Sequence, residues 1–378
     1  MEICVLNPYF YPYKGGTEKV LFEVYRRLAK RHNITVLTSD FGSKCGTTEL
    51  EGINVKRIRS KSLYIPGAPL NFQSFSNLGG EIRKAAADLY HINNRYQYFY
   101  PDISAIPSRS KIALTIHNSL PKNIDILTDT AGLFYDIVWG RRIMKRVDLI
   151  TGVSRNAIDT TVPNEFSHKS YVVYNGVNYN VLRNRGRNSR RVSSIRRELH
   201  IDADHVVVCN GRLVPQKGQR YLIEAMRNLR RRSASLLLIG SGPQESELRR
   251  LAQKANIPIA ITSGLDDLGL AYHYSAADVA VAPSLYEPAS MAALESMSCE
   301  LPVVASKIGG LPEMVGECGI YAETRNVNQI HDGIKSLFDS RADAIARGRC
   351  GRNRVIKRHS WDSIAKRYEE LFLNTIRY

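Results

Sequence analysis

Short apolar runs alternate with longer amphipathic ones along the first part of the chain. MEICVLN (1–7) reads as a buried strand. TEKVLFEVYRRLAKR (17–31) sets Val20, Leu21, Val24, Tyr25 and Leu28 on one helical face, which predicts a helix. ITVLTS (34–39), ADLYHIN (87–93), KIALTIHN (111–118) and DLITGVS (148–154) read as further strands. The pattern restarts after a basic, polar stretch, NVLRNRGRNSRRVSS (180–194). Its strands are HVVVCNGR (205–212), ASLLLIGSG (234–242), PIAIT (258–262), DVAVAPS (278–284) and LPVVAS (301–306). The tail SWDSIAKRYEELFLNTIRY (360–378) reads as a helix opened by Ser360, with Trp361, Ile364, Tyr368 and Leu371 on one stripe. Strands alternating with helices predict an α/β architecture of parallel sheets covered on both faces, in two halves joined by a linker near 176–200.

Composition agrees with that division. The chain has 378 residues, 43% hydrophobic and 24% charged, which suits two globular domains. The N-terminus lacks a basic n-region and reads as a strand, not a signal peptide. No run has the roughly 18 apolar residues that a membrane span needs. Six scattered cysteines form no CxxC, so neither a zinc site nor a disulfide framework is expected, and a reducing cytoplasm fits. The net charge of +17 calls for an anionic partner, either a phosphorylated substrate or an acidic membrane surface. Nucleic acid is not expected, because no groove-reading motif accompanies the basic clusters Arg26-Arg27, Arg141-Arg142 and Arg230-Arg231-Arg232. The aromatic stretch RYQYFYP (95–101) suits a membrane interface.

In open parallel sheets, ligands bind beyond the carboxyl ends of the strands. Gly15 and Gly16 follow the first strand and precede a helix, where a backbone can approach an anion closely; an ordinary turn explains them equally well. His117 ends a strand at the ligand edge, as does its competitor His91; each is either a polar contact for substrate or a structural histidine. Arg212 and Lys217 lie in the loop after HVVVCN, either as cations for a diphosphate or as exposed loop charges. Asp202 and Asp204 lie at the wrong edge for a metal site, and Asp266-Asp267 read as solvated loop acids. The stretch LYEPASMAALESM is the most unusual. Pro288 suits a first helical position, which makes Glu287 the N-cap or its neighbour and puts Glu295 in the helix beyond small Ala289, Ser290, Ala292 and Ala293. Two acids there suit hydroxyl-bearing ligands such as a sugar and a ribose. Alternatively Glu287 merely caps, and Glu295, among Met291, Leu294 and Met297, is a carboxylate costly to bury without partners.

Glu287-x7-Glu295 followed by LPVVASKIGGLPEMV resembles the retaining glycosyltransferases of family GT4, which have the GT-B fold. YPYKGGTEKV, TIHN, VVYNGVN (172–178), GRLVPQKGQRYLIEAM and SAADVAVAPS fall in that family's order, nearly end to end. The resemblance implies two Rossmann-like domains facing across a cleft: an acceptor domain of 1–178 plus a crossover helix 361–378, and a donor domain of 179–360. It implies that Arg212 and Lys217 hold the donor diphosphate, that Glu287 takes donor-sugar hydroxyls, and that Glu295 takes ribose hydroxyls. Ser290 and Met291 join the donor-binding set, as do Gly15 and Gly16 beside the phosphate. His117 would contact donor sugar or acceptor, and with Glu287 makes the catalytic pair. Neither metal nor other cofactor is implied. The partners are a UDP- or GDP-sugar, a glycan or lipid-linked acceptor and an anionic membrane surface on the cytoplasmic side. Many members have glycines after the first acid, whereas this chain has Glu287-Pro288-Ala289-Ser290, which leaves the sugar open. The alternatives are an epimerase or hydrolase on the same fold, and a glycan-binding scaffold without activity.

Overall fold

The structure is a computed structural model that describes residues 1–13, 15–41, 43–63, 72–93, 100–118, 136–227, 229 and 233–377. Most of the aromatic stretch 95–101, the middle of 62–80 and Arg230-Arg231-Arg232 therefore lie outside the described residues. The chain divides into two units, Met1–Asn175 with Trp361–Tyr378, and Gly176–Ser360. The division falls between Asn175 and Gly176, slightly before the position 178 suggested by the sequence.

The first unit carries a sheet of β1 (Glu2–Leu6), β2 (Asn33–Ser39), β3 (Gly46–Leu50), β4 (Ile53–Ile58), β7 (Leu89–Asn93), β8 (Lys111–Ile116), β9 (Leu149–Gly152) and β10 (Ser170–Val172). A separate antiparallel hairpin pairs β5 (Ser60–Leu63) with β6 (Phe72–Phe75). The sheet order is β10-β9-β8-β7-β1-β2-β4-β3, parallel except for the edge strand β3. β1 and β7 are neighbours at the point where the strand order reverses. Strands buried on both faces read as nearly unbroken apolar runs, and Ile3, Val5, Leu6, Leu89, Ile92, Ile112 and Leu114 are all buried.

The helix after β1 runs Gly16–Leu28 and stops three residues short of the predicted Arg31, because the chain turns there to start β2 at Asn33. The C-terminal helix Trp361–Arg377 packs against it. Arg27 binds Asp362 at 2.6 Å, Arg31 binds Glu369 at 2.6 Å and His32 binds Glu369 at 2.7 Å. Its apolar face, Trp361, Ile364, Tyr368, Leu371 and Phe372, is buried.

The second unit has the sheet order β13-β12-β11-β14-β15-β16, entirely parallel. Its strands are β11 (His205–Asn210), β12 (Ala234–Ile239), β13 (Ile259–Thr262), β14 (Val279–Ala282), β15 (Val303–Ser306) and β16 (Ile320–Ala322). Val207, Leu236, Leu238, Val281 and Val304 form one core with Leu222, Ile223, Leu248, Ile330 and Ile334 of the covering helices. The order reverses between β11 and β14, so the crevice beyond their carboxyl ends is where such a sheet takes ligands.

The expectation of no disulfide is corrected. Cys318 and Cys350 are bonded, 32 residues apart. Helix Arg341–Arg358 brings Cys350 beside the turn Gly316–Cys318, an arrangement that no local cysteine spacing announces.

Candidate active site

The second unit's crevice is built from the loops after β11 and β14. After β11 come Gly211, Arg212 and a short turn, Pro215–Lys217, closed by Gly218. Gly218 has φ of 67°, and a Cβ there would strike the Pro283 carbonyl of the β14 loop. Only glycine permits this approach, which brings the two loops together. Leu285 donates its backbone N–H to the Gln216 carbonyl at 2.8 Å across the same junction.

Lys217 Nζ consequently reaches Glu287 Oε2 at 2.5 Å. Ser284 Oγ donates to the same oxygen at 3.1 Å. Glu287 is 6% exposed, so its charge is held by an opposite charge and a hydroxyl. Its carbonyl accepts from Gly310 N–H at 2.9 Å, and Gly309, with φ of 55°, packs so closely that a Cβ would meet that carbonyl. Arg212 is exposed on the same loop, and its carbonyl accepts from Gln219 Nε2 at 2.9 Å.

The expectation that Glu287 caps the following helix is corrected. The helix runs Met291–Ser298 and Ser290 is its N-cap, with Oγ accepting from Ala293 N–H at 3.3 Å. Residues 287–289 bend ahead of the helix, with Glu287 pinned by Gly309 and Gly310, so Pro288 is outside the helix. Glu287 is thereby left to its side-chain contacts. Ser290 is buried as the cap, and Met291 is half-buried at the first helical position.

Glu295, 5% exposed, does have partners. Asn210, the last residue of β11, donates from Nδ2 to Glu295 Oε2 at 3.1 Å and to Tyr274 Oη at 2.8 Å. Tyr274 Oη lies 3.4 Å from both Glu295 Oε2 and the Ala292 carbonyl. Burial, then the neighbouring Glu295 carboxylate, push the Tyr274 hydroxyl well above its usual range, so it stays protonated and donates. Sequence reasoning missed Asn210, Tyr274 and Ser284. Asn210 and Ser284 sit at strand carboxyl edges, the rule that selected Arg212. Tyr274 gives no such signal.

In the first unit, Gly15 is the N-cap of the Gly16–Leu28 helix, and a Cβ on Gly16 would meet nothing within 4 Å. His117 lies just past β8 and is 8% exposed. Asn93 Nδ2 donates to the His91 carbonyl at 3.4 Å, which turns Asn93 Oδ1 toward His117 Nε2 at 3.0 Å. Nε2 therefore carries the proton and Nδ1 is the acceptor. Burial pushes the imidazole down to about 4, so His117 is neutral near pH 7. His91 belongs to the core instead: Tyr25 Oη bonds its Nδ1, Thr115 Oγ1 lies 2.6 Å from its Nε2, and the Phe372 ring packs on it.

Asp202 and Asp204 precede β11 at the amino edge, and Asp266 caps the Asp267–Ser275 helix by accepting from Gly269 N–H at 2.7 Å. Among the described residues, the one group placed to hold a metal is Glu317 with Cys318 and Cys350, whose two sulfurs are bonded to each other. No helix among the described residues is long and apolar enough to cross a membrane.

The switch-point crevice thus holds a lysine-bound carboxylate in one loop and a clamped carboxylate on the helix that follows it. A family model described as Glycosyl transferases group 1 matches residues 204–340, and one described as Glycosyltransferase Family 4 matches residues 14–181. The chain belongs to this family of glycosyltransferases. It is 32% identical over 186 residues to the GDP-mannose-dependent alpha-(1-6)-phosphatidylinositol monomannoside mannosyltransferase of Mycobacterium tuberculosis, a match covering 46% of this chain and 48% of that protein. The chain thus spans about half the length of the curated relatives it matches. Its fold is GT-B. Sucrose-phosphate synthase from Thermosynechococcus elongatus matches with a TM-score of 0.75 at 22% identity, over 98% of both chains. Anabaena HepE in complex with UDP-glucose matches with a TM-score of 0.77 at 18% identity, over 98% of this chain and 99% of that one.

Proposed function

We propose that the protein is a retaining glycosyltransferase. It moves a hexose from a nucleoside-diphosphate sugar to a glycan or lipid-linked acceptor, without a metal ion. The observation that carries this reading is the pair of buried carboxylates, Glu287 and Glu295, each held by its own partners beside the switch point of β11 and β14. Buried acids with fixed orientations suit hydroxyl recognition. Glu287 takes hydroxyls of the donor sugar and Glu295 those of the ribose. Lys217 has three N–H donors, so it keeps Glu287 while binding a phosphate oxygen. With Arg212 it offsets the charge that develops on the leaving diphosphate. The acceptor oxygen bonds to the anomeric carbon on the face the diphosphate leaves, and a leaving phosphate oxygen takes the acceptor proton. Configuration is retained. Gly16 takes the donor phosphate, and neutral His117 contacts donor sugar or acceptor through Nδ1.

GDP-mannose is the leading donor, because the mycobacterial relative is named for it; UDP-glucose is the next, on the HepE complex. The net charge of +17 supports contact with an anionic membrane surface at a lipid-linked acceptor. The test is calorimetry with GDP, UDP and ADP, each with and without Mg²⁺, on the wild type and Glu295→Ala. Metal-independent binding of one nucleotide, weakened in the variant, is expected. Absence of binding by all three overturns the donor site. Product analysis completes it: an isomerised nucleotide sugar or free sugar, in place of a new glycosidic linkage, identifies an epimerase or hydrolase.

A further inference from the structure

We infer that Asn210 and Tyr274 are positioning residues that set ribose affinity through Glu295, an inference that rests on the donor reading above. Asn210 Nδ2 has two hydrogens, and the structure gives each an acceptor: Tyr274 Oη at 2.8 Å and Glu295 Oε2 at 3.1 Å. The Tyr274 hydroxyl, on a side chain 1% exposed, has its oxygen 3.4 Å from that same Oε2 and from the Ala292 carbonyl, so its one proton is shared between these two acceptors. Three elements therefore meet on one carboxylate oxygen: the end of β11, the Asp267–Ser275 helix and the Met291–Ser298 helix. Asn210, with the Tyr274 hydroxyl beside it, restrains the rotation of the carboxylate plane. A carboxylate has about four acceptor sites, so the group keeps capacity for ligand hydroxyls. Asn210 also immediately precedes Gly211 and Arg212, so the backbone that starts the phosphate loop is tied to the ribose acid. The amide is the group that reaches Glu295.

The test compares wild type, Tyr274→Phe and Asn210→Ala in the intact protein, using whichever of GDP or UDP binds and its 2′,3′-dideoxy counterpart. Tyr274→Phe keeps the buried ring, and thermal melts verify that both variants fold. Loss of a hydrogen bond to a charged group predicts about tenfold weaker binding of the parent nucleotide in each variant. Affinity for the dideoxy nucleotide is expected to be unchanged by either substitution. With the sugar donor, KM is expected to rise by a similar factor while kcat stays within about twofold, the pattern of a lost uniform binding contact. Equal weakening toward both nucleotides makes the residues merely structural and overturns the inference, as does no weakening toward either. If the wild type itself binds both nucleotides equally, Glu295 does not hold the ribose; the reading of the site then fails, and the inference with it.

Discussion

Two glycines, Gly218 of the second unit and Gly16 of the first, show how one residue type serves two opposite purposes. Gly218 is required by the protein's own backbone. Its φ is 67°, and an added Cβ would strike the Pro283 carbonyl, which cannot move without moving the β14 loop. Gly218→Ala is expected to cost about 2–4 kcal/mol of stability, from the left-handed backbone and the displaced carbonyl together. Gly16 meets no atom within 4 Å where its Cβ would stand. Gly16→Ala is therefore expected to leave stability within about 1 kcal/mol of wild type, while weakening nucleotide binding about tenfold or more if a phosphate takes that space. Urea unfolding and calorimetry on the two variants separate the cases; a Gly16→Ala protein that binds normally removes Gly16 from the donor site. Both glycines are visible in the sequence as punctuation between a strand and a helix. Which neighbour forbids a side chain was not visible, because Pro283 is far away along the chain. Glu295 shows the same limit. Its burial was legible from Leu294 and Met297, but its partners Asn210 and Tyr274 come from two other elements.

At the scale of elements, buried parallel strands were legible because they are apolar on both faces. HVVVCN, ASLLLI and KIALTI all form the strands their composition predicts. β3, GTTEL, was missed because it is an exposed edge strand without alternation, and β16 because three residues give no period. The Met291–Ser298 helix was found, but its start was misplaced. Pro288 looked like a first helical residue, while the actual cap, Ser290, signals itself only by a short hydroxyl side chain. The Arg341–Arg358 helix acts on its neighbours more than its sequence suggests. Arg354 donates to the carbonyls of Met314 at 2.9 Å and Glu313 at 2.8 Å, and Gly351 packs on Met297. Cys350 ties the same helix to Cys318. Closing a loop of 32 residues restricts the unfolded chain, so reduction, or Cys350→Ser, is expected to lower stability by about 2–4 kcal/mol. The check is urea unfolding with and without dithiothreitol. A reductant effect that persists in Cys350→Ser would assign it elsewhere.

For the molecule as a whole, the return of the chain's end to the first unit has a cost in acid. Tyr368 and Phe372 of the C-terminal helix close over His91, whose ring nitrogens are bonded by Tyr25 and Thr115; Thr115 in turn shares a hydrogen bond of 2.6 Å with Thr151. The amphipathic stripe from Trp361 made this helix legible, and the resemblance to GT4 enzymes implied where it goes. The histidine beneath it was not assigned, since a strand-end histidine in LYHIN reads equally as a ligand contact. Tyr25, Thr115, Tyr368 and Phe372, the groups bonded to or packed on the His91 ring among the described residues, are aromatic or hydroxyl-bearing, and His117 disfavours its charge. Burial, then His117, push His91 down to about 3, and burial pushes His117 down to about 4. The unfolded chain protonates both near 6.5, while the folded chain resists. The unfolded state thus binds more protons between those values, and stability rises with pH across that window. Above about 6.5 the contribution of the neutral rings is complete, and it is lost progressively as pH falls toward 3. For His91 alone the shift corresponds to about 4–5 kcal/mol over the whole window. Urea midpoints measured from pH 7.5 to 4 are expected to fall steeply for the wild type and less steeply for His91→Gln, which keeps hydrogen-bonding capacity but cannot take a proton. Carboxylates contribute to both curves alike, so the difference between them isolates the histidine. Parallel curves would show that His91 protonates as readily in the folded protein as in the unfolded chain, and that the packing of the C-terminal helix over it excludes water less completely than the buried contacts require.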